Sequence, residues 1–319
     1  MPRKSSNKLS YLKLSRVIEF LTCPKCFITP KSSLYYKNGD FYCKGCKQKY
    51  PVRGKIIELI NPDVLSEQVK RELLGNDITP TKKNIEHYSK KDRWSRYYNH
   101  FVNQKINYLL KMMKRTNFKG IISLGSGSGF EIKEILKKKR FPLVISSDLA
   151  YSATRIVPHT LKGFDLTVCL FTSDLNFTPV IPNEFYPILI YEALHHTKNS
   201  IKTLGKMMQK GYQNIFFVEP CTNFLVKIMV KLGLAQRAEY SGVIPDFVDL
   251  SKVKNLASKH KYSVSINTIW EIPEDYFRII CKKKSILQQI LLCFIDIISR
   301  VGNLFQFGSF AIVSLKRTN

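Results

Sequence analysis

The chain has 319 residues, and 44% of them are apolar, which is enough for a packed core and excludes a chain too polar to fold. It carries 51 basic against 24 acidic residues, so its formal net charge is +27. A charge of this size predicts an anionic partner or substrate.

The basic excess is concentrated in the first third of the chain. Residues 1–62 hold 13 Lys and Arg against 3 acids, and residues 63–116 hold 12 against 6. Aromatic residues are interleaved with the first stretch, a combination that RNA-binding proteins use. An anionic glycan, a lipid head group or a phosphorylated substrate would be attracted in the same way. A solvated, lysine-rich surface is the simplest alternative.

Four of the eight cysteines form two CxxC pairs, Cys23 with Cys26 and Cys43 with Cys46, separated by sixteen residues. This spacing is typical of a structural zinc ribbon, in which four thiolates close the coordination of one Zn²⁺. Two disulfides are the alternative. However, no signal peptide precedes the pairs and the other cysteines lie singly in apolar sequence, so we expect a reduced, cytoplasmic protein.

The sequence around these cysteines resembles a family of small zinc-ribbon proteins that activate methyltransferases. The resemblance rests on Leu21–Cys26 and on Tyr50–Ile60, just after the second pair. In that family the ribbon accompanies, or is fused to, a class I methyltransferase that uses S-adenosylmethionine (SAM). The resemblance implies a ribbon domain over residues 1–62, and the polar, charged residues 63–92 are predicted to form a linker.

A strand, a tight turn and a helix start are predicted just after residue 120. An apolar run leads into glycine at every second position (Gly125, Gly127, Gly129), and helical spacing begins at Glu131. Glycine lets the backbone turn sharply and leaves room for a ligand against the main chain. Phe130 stands where a dinucleotide-binding fingerprint has its third glycine, which disfavours NAD or FAD. The pattern instead resembles motif I of the class I SAM-dependent methyltransferases.

Later segments resemble further motifs of that family, each at the end of a predicted strand. Asp148 and Leu149 lie about twenty residues beyond the glycines, where such a fold needs an acid to bind ribose hydroxyls. The resemblance implies that Asp174 and Leu175 hold the adenine and that the segment Glu192–His196 borders the cofactor. The candidate cofactor ligands are Ser123, Gly125, Gly127, Gly129, Asp148, Leu149, Asp174, Leu175 and Glu192. For the two aspartates, ordinary helix caps are the alternative.

The alternation of five short apolar runs with longer helical segments predicts a parallel sheet with helices on both faces. Runs at Tyr262–Trp270 and Gly308–Leu315 predict two further strands. We therefore expect an α/β, Rossmann-like, seven-stranded methyltransferase sheet, parallel with an antiparallel last strand, over residues 93–319.

Between the last two strands lies an insertion, residues 271–307, with an apolar stretch from Ile286 to Ile298. Gln288, Gln289 and Asp296 interrupt this stretch, so we expect no transmembrane segment. A buried helix is the favoured interpretation. A contact within a homo-oligomer and a surface that touches lipid remain alternatives.

Together these features predict a SAM-dependent methyltransferase that acts on an oxygen or nitrogen acceptor, less readily on carbon, in an anionic or phosphorylated small molecule or glycan. His195 is the candidate base, because it lies at the end of the fourth strand. The family usually has an acid where Ser123 stands, and serine brings no charge to the ammonium of SAM. An RNA methyltransferase that docks through the basic ribbon, and a non-catalytic scaffold of the same fold, are the alternatives.

Overall fold

The fold is that of a computed structural model, which describes residues 8–26, 32–60, 65, 67, 69–70, 73, 81, 83, 96–114, 116–232, 246–271, 277 and 285–318. Most of the predicted linker, residues 63–92, lies outside these described residues.

The strands are β1 (Leu9–Tyr11), β2 (Leu34–Lys37), β3 (Asp40–Cys43), β4 (Lys49–Tyr50), β5 (Val52–Arg53), β6 (Ile56–Glu58), β7 (Ile121–Leu124), β8 (Leu143–Asp148), β9 (Leu166–Thr172), β10 (Ile188–Tyr191), β11 (Asn214–Thr222), β12 (Val248–Asp249), β13 (Tyr262–Ile269) and β14 (Phe310–Arg317). The α-helices are α1 (Leu14–Val17), α2 (Arg96–Met113), α3 (Phe130–Leu136), α4 (Tyr151–Thr160), α5 (Ser200–Lys210), α6 (Phe224–Lys231), α7 (Leu250–Lys259) and α8 (Ser285–Leu304). Two short 3-10 helices cover Leu175–Phe177 and Leu194–His196.

The predicted methyltransferase sheet is present in the order β9-β8-β7-β10-β11-β14-β13. The first five of these strands are parallel, and β14 runs antiparallel to both β11 and β13. The α/β sheet and its antiparallel last strand are therefore confirmed. Since β7 to β11 run in one direction, their carboxyl ends meet at one edge of the sheet, where such folds bind ligands.

The central strand β7 shows why the sequence adopts this arrangement. All four of its residues are buried, and it pairs with β8 on one side and β10 on the other. A strand covered on both faces favours a mostly apolar run, here broken only by the small Ser123, whereas a strand with one solvated face would alternate.

The N-terminal segment joins this sheet. Its three-stranded sheet, β2-β3-β4, lies next to the cysteines, while β1 and β6 both pair in parallel with β9, through Leu9 with Leu166 and Ile56 with Leu170. Buried residues on the two sides of residue 62 also form one hydrophobic core: Leu21, Phe41, Tyr50, Phe171 and Val180 belong to it. The boundary near residue 62 stays a prediction, but the segments before and after it share one sheet and one core.

The apolar insertion forms helix α8, and the expectation that this helix is buried is wrong. Only 17% of the residues in its stretch Ile286–Leu304 are buried, so it is not a buried helix. By length and composition alone the same stretch would suffice to cross a membrane, so its polar residues do not make it too short. The expectation that it does not span a membrane stays a prediction. The apolar sequence predicted burial because a helix with apolar residues on all sides is usually covered by other elements. In α8 only one side packs on the domain, and the other apolar side faces outward.

Candidate active site and metal centre

The glycine loop has the geometry that its sequence predicts. Strand β7 ends at Leu124 and α3 begins at Phe130. Gly125, Gly127 and Gly129 have φ values of +67°, +49° and +78°, which side chains with a Cβ rarely adopt. A Cβ at Gly125 would also lie 2.3 Å from the Cβ of Ala193. The predicted strand, turn and helix start are confirmed, and the role of the loop in binding a cofactor stays a prediction.

Asp148 lies at the end of β8 and faces the glycine loop. The backbone N–H of Gly127 donates to its Oδ2 at 2.8 Å, and that of Ala150 donates to its Oδ1 at 3.0 Å. Burial raises the pKa of the Asp148 carboxyl, and these hydrogen bonds and the nearby His196 act in the opposite direction. Asp148 therefore orders the loop. The adjacent Leu149 is half-buried.

Asp174 and Leu175 follow β9 at the same edge. The Asp174 carboxylate caps a 3-10 helix, since Oδ1 accepts from the backbone N–H and the side-chain amide of Asn176, both at 2.8 Å. Burial raises its pKa. The side chain of Leu175 reaches the loop, where its Cδ1 is 3.5 Å from the position a Cβ would take at Gly125.

His195 is held in a buried, hydrogen-bonded position beyond β10. It is 6% exposed, and its Nδ1 lies 2.6 Å from Oε2 of Glu219, a residue with no exposed surface. Oε1 of Glu219 accepts from the backbone N–H groups of Ala193 and Leu194, at 2.8 and 2.7 Å. An ionised carboxylate only accepts, so Nδ1 donates, and the lone pair of the neutral ring is on Nε2. The neighbouring ring of His196 lies 4.2 Å away, centroid to centroid.

A charge cluster around the buried Lys105, which we call the lysine cluster, comprises Lys105, Glu131, Glu192 and Glu271. Lys105 is 2% exposed, its Nζ donates to Oε1 of Glu192 at 2.7 Å, and it forms an ion pair with Glu271. Burial alone would lower the pKa of Lys105, but the charges of the two glutamates raise it above its usual value. Glu192 itself has a left-handed backbone, with φ of +49°.

Glu131 belongs to this cluster because its carboxyl interacts electrostatically with Glu192 and Lys105. Burial, together with the charges of Glu192 and Asp148, raises the pKa of the Glu131 carboxyl to about 7, although Lys105 opposes the shift. The lysine cluster therefore adjoins the glycine loop and Asp148. Of its members, only Glu192 was predicted as a site residue.

Only one of the missed residues had a usable signal in the sequence. Lys105 stands on the apolar stripe of α2, among Phe101, Val102, Ile106 and Leu109, all of which are buried. A lone lysine on a core-facing stripe predicts a buried partner of opposite charge. Ser123, for its part, is 2% exposed in β7, where it pairs with Ser146 and Leu189.

The four cysteines of the predicted ribbon come together. Cys23, Cys26, Cys43 and Cys46 have free thiols whose sulfur atoms all lie within 4.8 Å of one another. The sulfurs of Cys23 and Cys46 are 3.6 Å apart, and those of Cys43 and Cys26 are 3.8 Å apart. A tetrahedral Zn²⁺ with bonds of about 2.3 Å would set its sulfurs about 3.8 Å apart. The cluster therefore has a size that fits zinc.

The surroundings of the cysteines also suit a thiolate site. The hydroxyl of Tyr50 lies 3.0 Å from Sγ of Cys23, and the backbone N–H of Cys46 donates to Sγ of Cys43 at 3.5 Å. Donors of this kind orient the sulfurs and offset part of their negative charge. Tyr50 was named only as part of the segment that carries the family resemblance and as one of the aromatic residues among the basic ones, so its contact with the cysteines was not predicted.

No protein-family model matches this sequence, and no curated protein matches it at a significant level. Solved structures do match. The magnesium protoporphyrin IX methyltransferase of Synechocystis PCC 6803, with bound SAH, has a TM-score of 0.50 and 9% identity, and the alignment covers 79% of this chain and 100% of that one. The geranyl diphosphate C-methyltransferase of Streptomyces coelicolor A3(2) gives 0.48 and 8%, with coverage of 79% and 99%.

A complex between the Haloferax volcanii Trm112 methyltransferase activator and a methyltransferase gives a TM-score of 0.48 and 10% identity, with coverage of 74% of this chain and 96% of that one. At identities this low, likeness concerns the fold alone. The chain therefore has the Rossmann-like fold of the class I SAM-dependent methyltransferases.

Proposed function

We propose that this protein is a SAM-dependent methyltransferase that transfers a methyl group to an oxygen or nitrogen acceptor of a small molecule or glycan. One observation carries the proposal: the glycine loop, Asp148, the Asp174 segment and the His195–Glu219 pair all lie at the carboxyl ends of adjacent parallel strands. A plain structural turn would not need these groups together at one edge.

The proposed cofactor site uses each group according to its chemistry. The three glycines leave the main chain open to the methionine part of SAM, and Asp148 offers oxygens to the ribose hydroxyls. Leu175 lies against the loop, where it would pack on the adenine, with Asp174 beside it. These roles follow from the resemblance and from the position of each residue.

The lysine cluster supplies the charge that Ser123 lacks. Glu192 directly precedes Ala193, which lies against Gly125 of the loop, so the Glu192 carboxylate would balance the ammonium of SAM. Glu131, in the first turn of α3, would add negative charge above its pKa of about 7. Lys105 holds the Glu192 side chain in place, since its Nζ donates to Oε1 of Glu192 at 2.7 Å. Serine at position 123 is then compatible with cofactor binding.

His195 is the proposed general base. When bound, SAM supplies a methyl group on a sulfonium, so transfer needs mainly an acceptor held close and in line. The Nε2 of His195 would accept the proton of an acceptor hydroxyl or amine, and the Glu219 carboxylate would stabilise the imidazolium that forms. The buried hydrogen bond between the two residues keeps the ring oriented for this task.

The four cysteines would hold a structural zinc ion. Four thiolates leave no open position on the metal, so the ion would stabilise the fold and take no part in methyl transfer. Zinc binding and a place in the cytoplasm agree with each other, because thiols remain reduced there.

Calorimetry with SAM on the zinc-loaded chain tests the cofactor site. Asp148→Ala should weaken SAM binding at least about tenfold, because the loop loses its acceptor and the ribose loses its partner. Asp165→Ala is the matched control, since Asp165 is an exposed aspartate paired with Arg140 on the surface. It should leave the affinity unchanged.

A folded, zinc-loaded chain that binds no SAM would contradict the proposal and favour the non-catalytic scaffold. If SAM binds, the acceptor can be found by comparing methylated products in cells with the native chain and with Asp148→Ala. A methylated RNA in that comparison would favour the RNA methyltransferase instead of the small-molecule enzyme.

A further inference from the structure

Helix α8 carries an exposed apolar stripe along its length. Its members are separated by three or four residues and therefore share one side of the helix. They are Ile286, Ile290, Phe294, Ile297, Val301 and Leu304, with exposures between 53% and 80%. Phe305, just beyond the helix, is 74% exposed. Soluble chains seldom leave such a continuous apolar surface in water unless it binds something.

The opposite side of α8 is fixed to the folded domain. Leu292, Ile295 and Ser299 are buried. Asp296 accepts from Nε2 of His100 at 2.9 Å, and Oδ1 of Asn303 accepts from the backbone N–H of Thr268 at 2.6 Å. A helix that spanned a bilayer would have to give up these contacts, so α8 is built to lie along the domain with only one side outward.

A basic residue borders the stripe. Arg300 is exposed on α8, next to Val301 of the stripe. The one acidic residue within α8, Asp296, is engaged by His100. An apolar stripe bordered by basic residues is the pattern of helices that lie in the interface of an anionic membrane.

A second exposed apolar group lies at the same corner of the molecule. Phe224 at the start of α6 is 70% exposed, and Leu232 just after its end is 67% exposed. The side chain of Asn223, which caps α6, donates to the carbonyl of Gly308 at 2.6 Å, three residues beyond Phe305. Lys227 and Lys231 on α6 are exposed as well. The combination of apolar and basic residues therefore extends past α8.

We infer that α8 attaches this protein to the surface of an anionic lipid bilayer, with the stripe inserted among the lipids and the basic residues against the head groups. The charges favour lipid over a second copy of the chain. In a symmetric dimer through this face, the same basic residues would meet one another, and like charges repel. Anionic head groups would neutralise them.

Flotation with vesicles tests this attachment. The full chain should bind vesicles of phosphatidylcholine mixed with phosphatidylglycerol, and bind pure phosphatidylcholine much more weakly. The triple variant Ile290→Gln, Phe294→Gln, Ile297→Gln should weaken binding to the anionic vesicles at least about tenfold, since it removes apolar area from the interface. Ile18→Gln, at an apolar position that is exposed elsewhere, should bind like the native chain.

A charge variant separates the electrostatic part of the attachment. Arg300→Gln combined with Lys227→Gln and Lys231→Gln should weaken binding to anionic vesicles and reduce its dependence on salt, but leave binding to pure phosphatidylcholine unchanged. Circular dichroism on every variant checks that the fold is kept, which we expect because the substituted stripe is solvent-exposed.

Four results would overturn the inference. The first is a native chain that binds neither kind of vesicle, and the second is a triple variant that binds as well as the native chain. The third is an attachment that survives an alkaline carbonate wash, as a spanning helix would. The fourth is a concentration-dependent dimer that the triple variant abolishes, in a chain that does not bind vesicles. The last result would assign the stripe to a second copy. Salt-sensitive binding to RNA without vesicle binding would likewise assign the basic residues to another partner.

Discussion

At the scale of single residues, His195 shows how a sequence signal becomes a specific chemical state. The sequence placed a histidine at the end of the fourth strand, with Glu219 one strand further on. The fold adds what spacing alone does not give, a 2.6 Å contact between them and the burial of both. That contact determines which ring nitrogen carries the hydrogen when the ring is neutral.

We predict that the neutral His195 ring carries its hydrogen on Nδ1, because the Glu219 carboxylate accepts from that atom. The ¹⁵N chemical shifts of the imidazole nitrogens measure the tautomer, and His196→Gln identifies the signals of the neighbouring ring. Glu219→Gln should weaken the preference for the Nδ1–H form. A ring that carries hydrogen on both nitrogens at neutral pH would contradict the role of base.

Glu131 gives a prediction about pH. Its pKa of about 7 in the folded protein lies above the ordinary value of 4.5, so between these pH values the folded state binds more protons than the unfolded chain. The free energy of unfolding should therefore fall as the pH rises through this window. Glu131→Gln removes the effect, and above pH 7 it should raise the free energy of unfolding by up to about 3 kcal/mol.

Urea unfolding of the SAM-free chain at several pH values measures this effect. Glu184→Gln, at an exposed glutamate outside the lysine cluster, is the control and should keep the pH dependence of the native chain. A Glu131→Gln variant whose stability follows the same pH curve as the native chain would show that Glu131 ionises normally.

The lysine cluster could not be predicted from local patterns in the sequence. The motif residues are close in sequence to the strand ends that position them, so their placement follows from the alternation of strands and helices. Lys105 and Glu271 are separated by more than half of the chain. Their pairing depends on how α2 and the segment after β13 pack together, and no local pattern encodes that packing.

At the scale of elements, the cysteine ribbon was predicted from spacing because metal geometry is local. Each CxxC pair fixes two sulfurs, and four sulfurs at tetrahedral separation need no further information. The pairing of β1 and β6 with β9 was not predicted, since three-residue strands leave no periodic pattern. The exposed side of α8 was missed for a different reason: apolar composition does not reveal whether a neighbour covers it.

We predict that Cys43→Ser removes the zinc and destabilises the whole chain. The ribbon shares its core with the sheet, so losing the metal should lower a single thermal transition by roughly 5–10 °C. Cys293→Ser, at an exposed cysteine on α8, should keep both the metal and the transition temperature. Elemental analysis and calorimetry measure the two quantities. Two separate transitions, with the upper one unchanged, would contradict a shared core.

At the scale of the whole molecule, the fold and the class of partner were predictable to different degrees. The alternation of strands and helices predicted an α/β sheet, parallel with an antiparallel last strand, and the structure confirms it. The order of the strands was not predicted. The net charge of +27 predicts an anionic partner but not its class, because a long-range field attracts RNA, lipid and phosphorylated substrates alike. Only the placement of basic residues beside an apolar stripe favours lipid.

The pairing of β1 and β6 with β9 has a consequence for the integrity of the fold. Without them, β9 would be an outermost strand of seven residues, mostly apolar, with unpaired backbone N–H and C=O groups along one side. Such a strand recruits strands from other molecules and promotes aggregation. The N-terminal segment thus protects the sheet from self-association, and a chain shortened to residues 93–319 would lose solubility before it lost its cofactor-binding loop.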